Sequence, residues 1–343
     1  MKKLSKIMAL VMACVLMLSL AACGGNTTES SAPESTAPES AAPESGAPDK
    51  TYVVGVCQLA PHPALDAATQ GFEDALKEVF GDAVEIKVDN AAGDTPTCST
   101  IVNGFVASNV DLIMANATGA LQAAATATAD IPVLGTSVTE YGVALSIPDF
   151  TGTIGTNVSG TSDLAPLDQQ AAMVKEWFPD AKTVGLLYCS AEPNSQYQVD
   201  NVQKYLEDLG YTCAQYAFAD TNDMASVVQN AADNSDVIYV PTDNTCANNT
   251  GIIDNICRPA GIPVIAGEEG ICSGCGVATL SISYYDLGVA TGKMAVKILK
   301  GEADVSEMPI EYAPQFTKKY NETICADLNL TVPDGYEAIT PAA

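Results

Sequence analysis

Two stretches decide the fold: Asp111-Leu-Ile-Met-Ala115, which leads through a helical pattern to Ile131-Pro-Val-Leu-Gly135, and Asp236-Val-Ile-Tyr-Val240, which leads the same way to Ile262-Pro-Val-Ile-Ala266. Each is a short, almost wholly apolar run, the pattern of a strand buried on both faces in a parallel sheet. Their near-identity, 125 residues apart, predicts two lobes of similar build. Working outward from them, strands are expected at 52–57, 84–88, 183–189 and 212–218, with helices at 64–80, 98–108 and 119–129. Leu65, Ala68, Phe72, Leu76 and Val79 form one apolar stripe along the first of these helices. Alternating strands and helices give an α/β protein of two Rossmann-like lobes with parallel sheets. With 343 residues, 47% of them hydrophobic, the chain exceeds what a single core usually holds.

The amino terminus reads as a targeting segment over 1–23. Lys2, Lys3 and Lys6 precede an apolar run, which closes on Leu20-Ala21-Ala22-Cys23, a pattern that looks like a bacterial lipobox with Cys23 as the lipidated residue. Residues 24–50 repeat Ala-Pro-Glu-Ser and read as an extended tether. A lipid on Cys23 would hold the folded part at the outer face of the bacterial cell membrane.

Charge narrows the function. The chain has 42 acidic and 15 basic residues, a net charge of −27, and a single arginine, Arg258, which argues against nucleic acid as a partner. His62 is the only histidine, so a His-rich metal centre and a Ser-His-Asp triad away from it are disfavoured. No dinucleotide fingerprint or phosphate-binding loop is present, and no cofactor, metal or catalytic residue is expected. Eleven cysteines are unusual. Nine remain after Cys14 and Cys23, so at least one stays free; Cys189 and Cys213 lie on consecutive strands, and Cys272-x-x-Cys275 with Cys246 and Cys257 invites a zinc or redox reading that the spacing supports only weakly.

In such sheets ligands meet the loops after the strands. Apart from His62 those loops carry no basic residue, yet they carry Asp66, Asp94, Glu140, Asp163, Glu192, Asp243, Glu268 and Glu269 together with many hydroxyls. That lining opposes an anion and suits a cation or zwitterion: carboxylates for an ammonium, hydroxyls and helix-start N–H groups for a carboxylate. For any one of these acids, capping a helix is an equally good explanation.

The chain resembles the substrate-binding lipoproteins of bacterial ABC importers, in particular the group associated with aromatic amino acids such as tryptophan. The resemblance spans about 52–330. It rests on His62-Pro-Ala-Leu-Asp66 with Gly71-Phe72, on Gly160-Thr-Ser-Asp163, on Pro241-Thr-Asp-Asn-Thr245, on Ile262-Pro-Val-Ile-Ala-Gly-Glu-Glu-Gly270, and on Tyr284-Tyr-Asp-Leu-Gly288 leading into Lys293-Met-Ala-Val-Lys-Ile-Leu299. It departs at Asn116-Ala-Thr-Gly119, where relatives are expected to have proline in place of the glycine.

The resemblance implies a type I periplasmic-binding-protein fold with a three-crossing hinge. Lobe 1 is expected at 51–160 plus 283–301, lobe 2 at 161–282 plus 302–330, and a tail at 331–343. It further implies a monomeric receptor, and not an enzyme, that closes on a small ligand and is then recognised by a membrane permease. Asp163, Asp243 and Glu268 are the candidates for the ligand ammonium. The backbone and hydroxyls of Thr118, Ser137 and Thr161 are those for its carboxylate. His62, Pro63, Ala64 and Ser195 are expected to wall the side-chain pocket, and Tyr141 or Tyr197 to stack on a ring; Gly119 and Asn244 are further ligand-site candidates. A ligand sensor for a membrane receptor and an extracytoplasmic thiol redox protein are the alternatives.

Overall fold

The computed structural model describes residues 50–339. The targeting segment, Cys23, all of the tether but its last residue, and residues 340–343 of the expected tail lie outside it.

The first lobe runs β1 (Tyr52–Gln58), α1 (Pro63–Phe80), β2 (Val84–Asn90), α2 (Thr95–Ala107), β3 (Leu112–Asn116), α3 (Thr118–Ala127), β4 (Val133–Val138), α4 (Tyr141–Ala144) and β5 (Val158–Ser162). The second runs α5 (Leu167–Trp177), β6 (Thr183–Cys189), α6 (Pro193–Asp208), β7 (Thr212–Phe218), α7 (Thr221–Asn234), β8 (Val237–Val240), α8 (Asn244–Asn248), α9 (Thr250–Ala260), β9 (Val264–Ala266), α10 (Glu269–Cys275) and β10 (Ala278–Ser281). The chain then adds α11 (Tyr284–Leu299), β11 (Glu311–Tyr312), β12 (Thr317–Tyr320), α12 (Glu322–Asp327) and β13 (Glu337–Ala338).

Two sheets result, ordered β2-β1-β3-β4-β5-β11 and β7-β6-β8-β9-β10-β12-β13. Their first five strands share the doubly wound 2-1-3-4-5 order, so the halves are architectural copies. All pairs are parallel except β10 with β12. The deciding strands β3 and β8 are buried at every residue, as apolar runs covered by helices on both faces must be. Among the described residues no helix is long and apolar enough to cross a membrane.

Helix α11 packs against α1 of the first lobe, and glycine is what lets it dock. A Cβ at Gly71 would sit 2.1 Å from the Tyr285 carbonyl oxygen, and one at Gly288 2.0 Å from that of Ala68. Backbone therefore meets backbone between α1 and α11, a separation that a larger residue would force open.

The crossings differ from expectation in two places. Val158–Ser162 is strand β5 of the first sheet, so the first crossing follows Ser162 and not Gly160. The third lies at 313–316 and not near Gly301, because Glu311 and Tyr312 pair with Thr161 and Ser162 at the edge of the first sheet. Residues 302–312 thus belong to lobe 1. The described part of the expected tail, 331–339, also belongs to lobe 2: Glu337 and Ala338 pair with β12, and Tyr336 meets Trp177 edge-on at 5.2 Å.

Candidate functional site

A narrow cavity lies where the strand ends of the two sheets face each other. His62 and Leu65 from the start of α1, Ser137 at the end of β4, Thr139 just after it, and Asp163 after β5 line one side. Asn194 from α6, Thr242, Asp243, Asn244 and Ala247 after β8, and Glu268 after β9 line the other, with Tyr284 at the start of α11. No lysine or arginine is among them.

Hydrogen bonding separates the three acids that sequence treats alike. Asp243 Oδ1 accepts from the Cys246 N–H and Oδ2 from the Cys189 N–H, both at 2.8 Å, so it caps α8 and ties that cap to β6. Glu268 spends its oxygens on the N–H groups of Gly270 and Ile271 at 2.6 and 2.5 Å, capping α10. Asp163 differs. Its Oδ2 accepts from the Tyr284 hydroxyl at 3.0 Å, but its Oδ1 has no partner.

Burial governs the charge of all three. It pushes Asp163 up to about 6 and Glu268 up to about 7, and it also raises Asp243, where neighbouring Glu192 adds repulsion. No cation in the cavity compensates them, since burial pushes the one imidazole, His62, below its ordinary range.

Four buried side-chain atoms without a partner share this cavity: His62 Nδ1, Ser137 Oγ, Asp163 Oδ1 and Asn194 Oδ1. Natural proteins rarely leave such groups unpaired, so their convergence marks a place built for a polar ligand. Ser137 also has a positive φ of 53°, and Ala117, beside it after β3, one of 90°. Non-glycine residues hold that conformation at a cost, and such residues gather at binding sites. The first turn of α1 faces the cavity at Leu65, and first-turn N–H groups have no partner within their helix.

The remaining candidates fall elsewhere. Tyr141 is core: its hydroxyl donates to the Thr161 carbonyl at 2.9 Å, and its ring fills the space left by Gly135 and Gly160. The Thr161 hydroxyl is held by Thr291 at 2.8 Å and Thr136 at 3.2 Å, behind the cleft. Thr118 and Gly119 start α3, with Gly119 packed on Thr95 and Leu59. Ser195 lies buried beside Asn194. Pro63 and Ala64 line an adjoining groove that shares Glu268 and Tyr284 with the cavity. Tyr197 is partly buried and does not line the cavity. Sequence reasoning missed Leu65, Thr139, Asn194, Thr242, Ala247 and Tyr284 as site residues; Tyr284, beside the second crossing, is the aromatic ring that the site does contain.

All nine described cysteines are free, and burial pushes Cys272 and Cys275 well above the usual thiol range, opposite to the depressed values of reactive thiols. Among the described residues no three metal-ligating side chains converge.

Two doubly wound lobes, three crossings and a polar cavity between the strand ends define a two-lobed ligand-capturing protein of the periplasmic-binding type. Residues 53–339 match the family of ABC transporter substrate binding proteins, and the chain belongs to that family. It is 34% identical over 315 residues to a tyrosine-binding protein of Clostridioides difficile, covering 90% of this chain and 88% of that one. Among solved structures it is similar to the ABC domain from Streptococcus pneumoniae in complex with L-Trp, at 34% identity and a TM-score of 0.80, covering 84% of this chain and all of that one. It is also similar to the ligand-free, open structure of a Clostridium difficile substrate-binding protein with adhesive properties, at 36% identity but a TM-score of 0.65, covering 85% and 100%. A substrate-binding component of an ABC transporter works outside the cytoplasm and contributes binding, not catalysis.

Proposed function

We propose that the cavity captures an amino acid as its zwitterion, most specifically an aromatic one, and that the closed form delivers it to an ABC importer permease. The observation that carries this reading is the unpartnered Oδ1 of Asp163, buried in a cavity without lysine or arginine. An α-ammonium supplies the missing donor and the missing positive charge together. The first-turn N–H groups of α1, with the hydroxyls of Ser137 and Thr139, suit the carboxylate, and Tyr284 supplies an aromatic wall. Relatives that bind L-Trp or are called tyrosine-binding support the ligand class.

In the same proposal the protein acts as a monomer without enzymatic activity, anchored to the membrane through a lipid on Cys23 and held off it by the Ala-Pro-Glu-Ser tether. The test is thermal unfolding of the full chain, refolded to remove carried-over ligand, against all standard amino acids, sugars and inorganic anions. Saturation at about 100 times Kd should add roughly 2.7 kcal/mol of stability. Shifts are expected with aromatic amino acids; a shift with sugars or anions alone would overturn the ligand class.

A further inference from the structure

The ligand site uses none of the thiols, and seven of the nine described, all but Cys57 and Cys98, are held above their ordinary range by burial. Cys57 and Cys98 differ because each has the other as its neighbour. Cys57 lies near the end of β1, and Cys98 is the fourth residue of α2, the helix that packs on that strand and covers Gly55 with Phe105. The Cys57 Sγ is 4.0 Å from the Cys98 carbonyl oxygen, and the two thiols hydrogen-bond to each other. Cys57 is the donor: its bond holds the Cys98 thiol below the usual range against the opposing effect of burial, and raises its own. Cys98 is thus the one described thiol with a raised tendency to ionise, and it sits against a second thiol, the arrangement of a dithiol that closes.

We propose that Cys57 and Cys98 form a disulfide joining β1 to α2 when the chain folds outside the cytoplasm, with a low-molecular-weight disulfide as the oxidant. The Cys98 thiolate attacks one sulfur of the oxidant and releases its other half as a thiol. Cys57 then loses its proton and attacks the Cys98 sulfur of the mixed disulfide, releasing the second half. Two protein thiols give up two electrons and two protons, and one oxidant disulfide becomes two thiols. Both side chains are 0% exposed, so the bond closes during folding and is afterwards shielded from exchange. It clamps α2 beside Gln58, whose side chain donates to Asp66 at 2.6 Å and accepts from Thr69 at 2.7 Å, both on the helix whose start lines the ligand cavity.

Refolding the reduced full chain in a mixture of oxidised and reduced glutathione, then alkylating it in denaturant without further reductant and mapping the peptides by mass spectrometry, tests the pairing. The peptides of Cys57 and Cys98 are expected joined and unalkylated, and the other seven described cysteines alkylated. The oxidised protein should melt about 5 °C above the same chain refolded with a reductant, since the bond closes a loop of about 40 residues. That difference should vanish in a variant carrying Cys57→Ala and Cys98→Ala. Alkylation of Cys57 and Cys98 without reduction, or a bond from either to another cysteine, would overturn the inference. The mapping is made on the unaltered chain, so a variant that folds poorly does not blunt it, and amino-acid capture stands or falls separately.

Discussion

The two sides of the cleft carry similar acids and hydroxyls, yet they use them in opposite ways. On the second-lobe side the acids close on their own backbone: Asp243 and Glu268 cap helices, and Glu192 accepts from the backbone and side chains of Asn244 and Thr245. On the first-lobe side and its crossing, groups are left open: His62 Nδ1, Ser137 Oγ and Asp163 Oδ1, against only Asn194 Oδ1 opposite. The second lobe thus presents a stiff, internally satisfied wall, and the first presents most of the unmet bonding capacity. An acid's role in such a loop follows from how many backbone N–H groups surround it, not from its residue type.

Substitution can break this contrast, and the largest effect is expected at Asp163. Asp163→Asn keeps the shape and the Tyr284 bond but removes the charge. Losing one partner of a buried charged pair costs about 3 kcal/mol, so Kd for the amino acid should rise by about two orders of magnitude while the free protein unfolds no earlier than wild type. Calorimetry and thermal melting read the two quantities separately; weakened folding with unchanged Kd would place Asp163 among the caps.

Asp243→Ala should show the reverse pattern. It strips an acceptor from two buried N–H groups, so stability is expected to fall by about 2 kcal/mol in urea titration, with Kd changed by less than about tenfold. A loss of affinity larger than the loss of stability would erase the distinction between the two sides.

Much of the fold was legible in sequence because buried parallel strands and amphipathic helices announce themselves by periodicity. The third crossing was not, since the strand that moves it, Glu311–Tyr312, has two residues and no period to read. Within the site, the acidic, base-poor loops were plain, as was the placing of His62, Ser137, Asp163, Asp243, Asn244 and Glu268 around one cleft. What sequence could not supply was the orientation of each group. Tyr141 follows the end of a strand, as a ligand-stacking residue would; only the gap left by Gly135 and Gly160 shows that its ring turns into the core. Tyr284 reads as the first residue of an amphipathic helix, and its place beside Asp163 depends on two crossings meeting.

The pH dependence sharpens the comparison most finely. Free carboxyls in an unfolded chain titrate near roughly 4, whereas Asp163 and Glu268 titrate at about 6 and about 7 when folded. The folded state therefore binds more protons in that window, and these acids favour folding most below about pH 4, losing that contribution as pH rises through 6 to 7. Ligand binding runs the other way, because an ammonium requires ionised Asp163. The most direct measurement is thus calorimetric titration of the aromatic amino acid near pH 6 in buffers of differing ionisation enthalpy. Release of about half a proton per ligand is expected, falling to near zero in Asp163→Asn. Binding without proton release, or release unchanged in that variant, would contradict the assignment of Asp163 as the ammonium's partner.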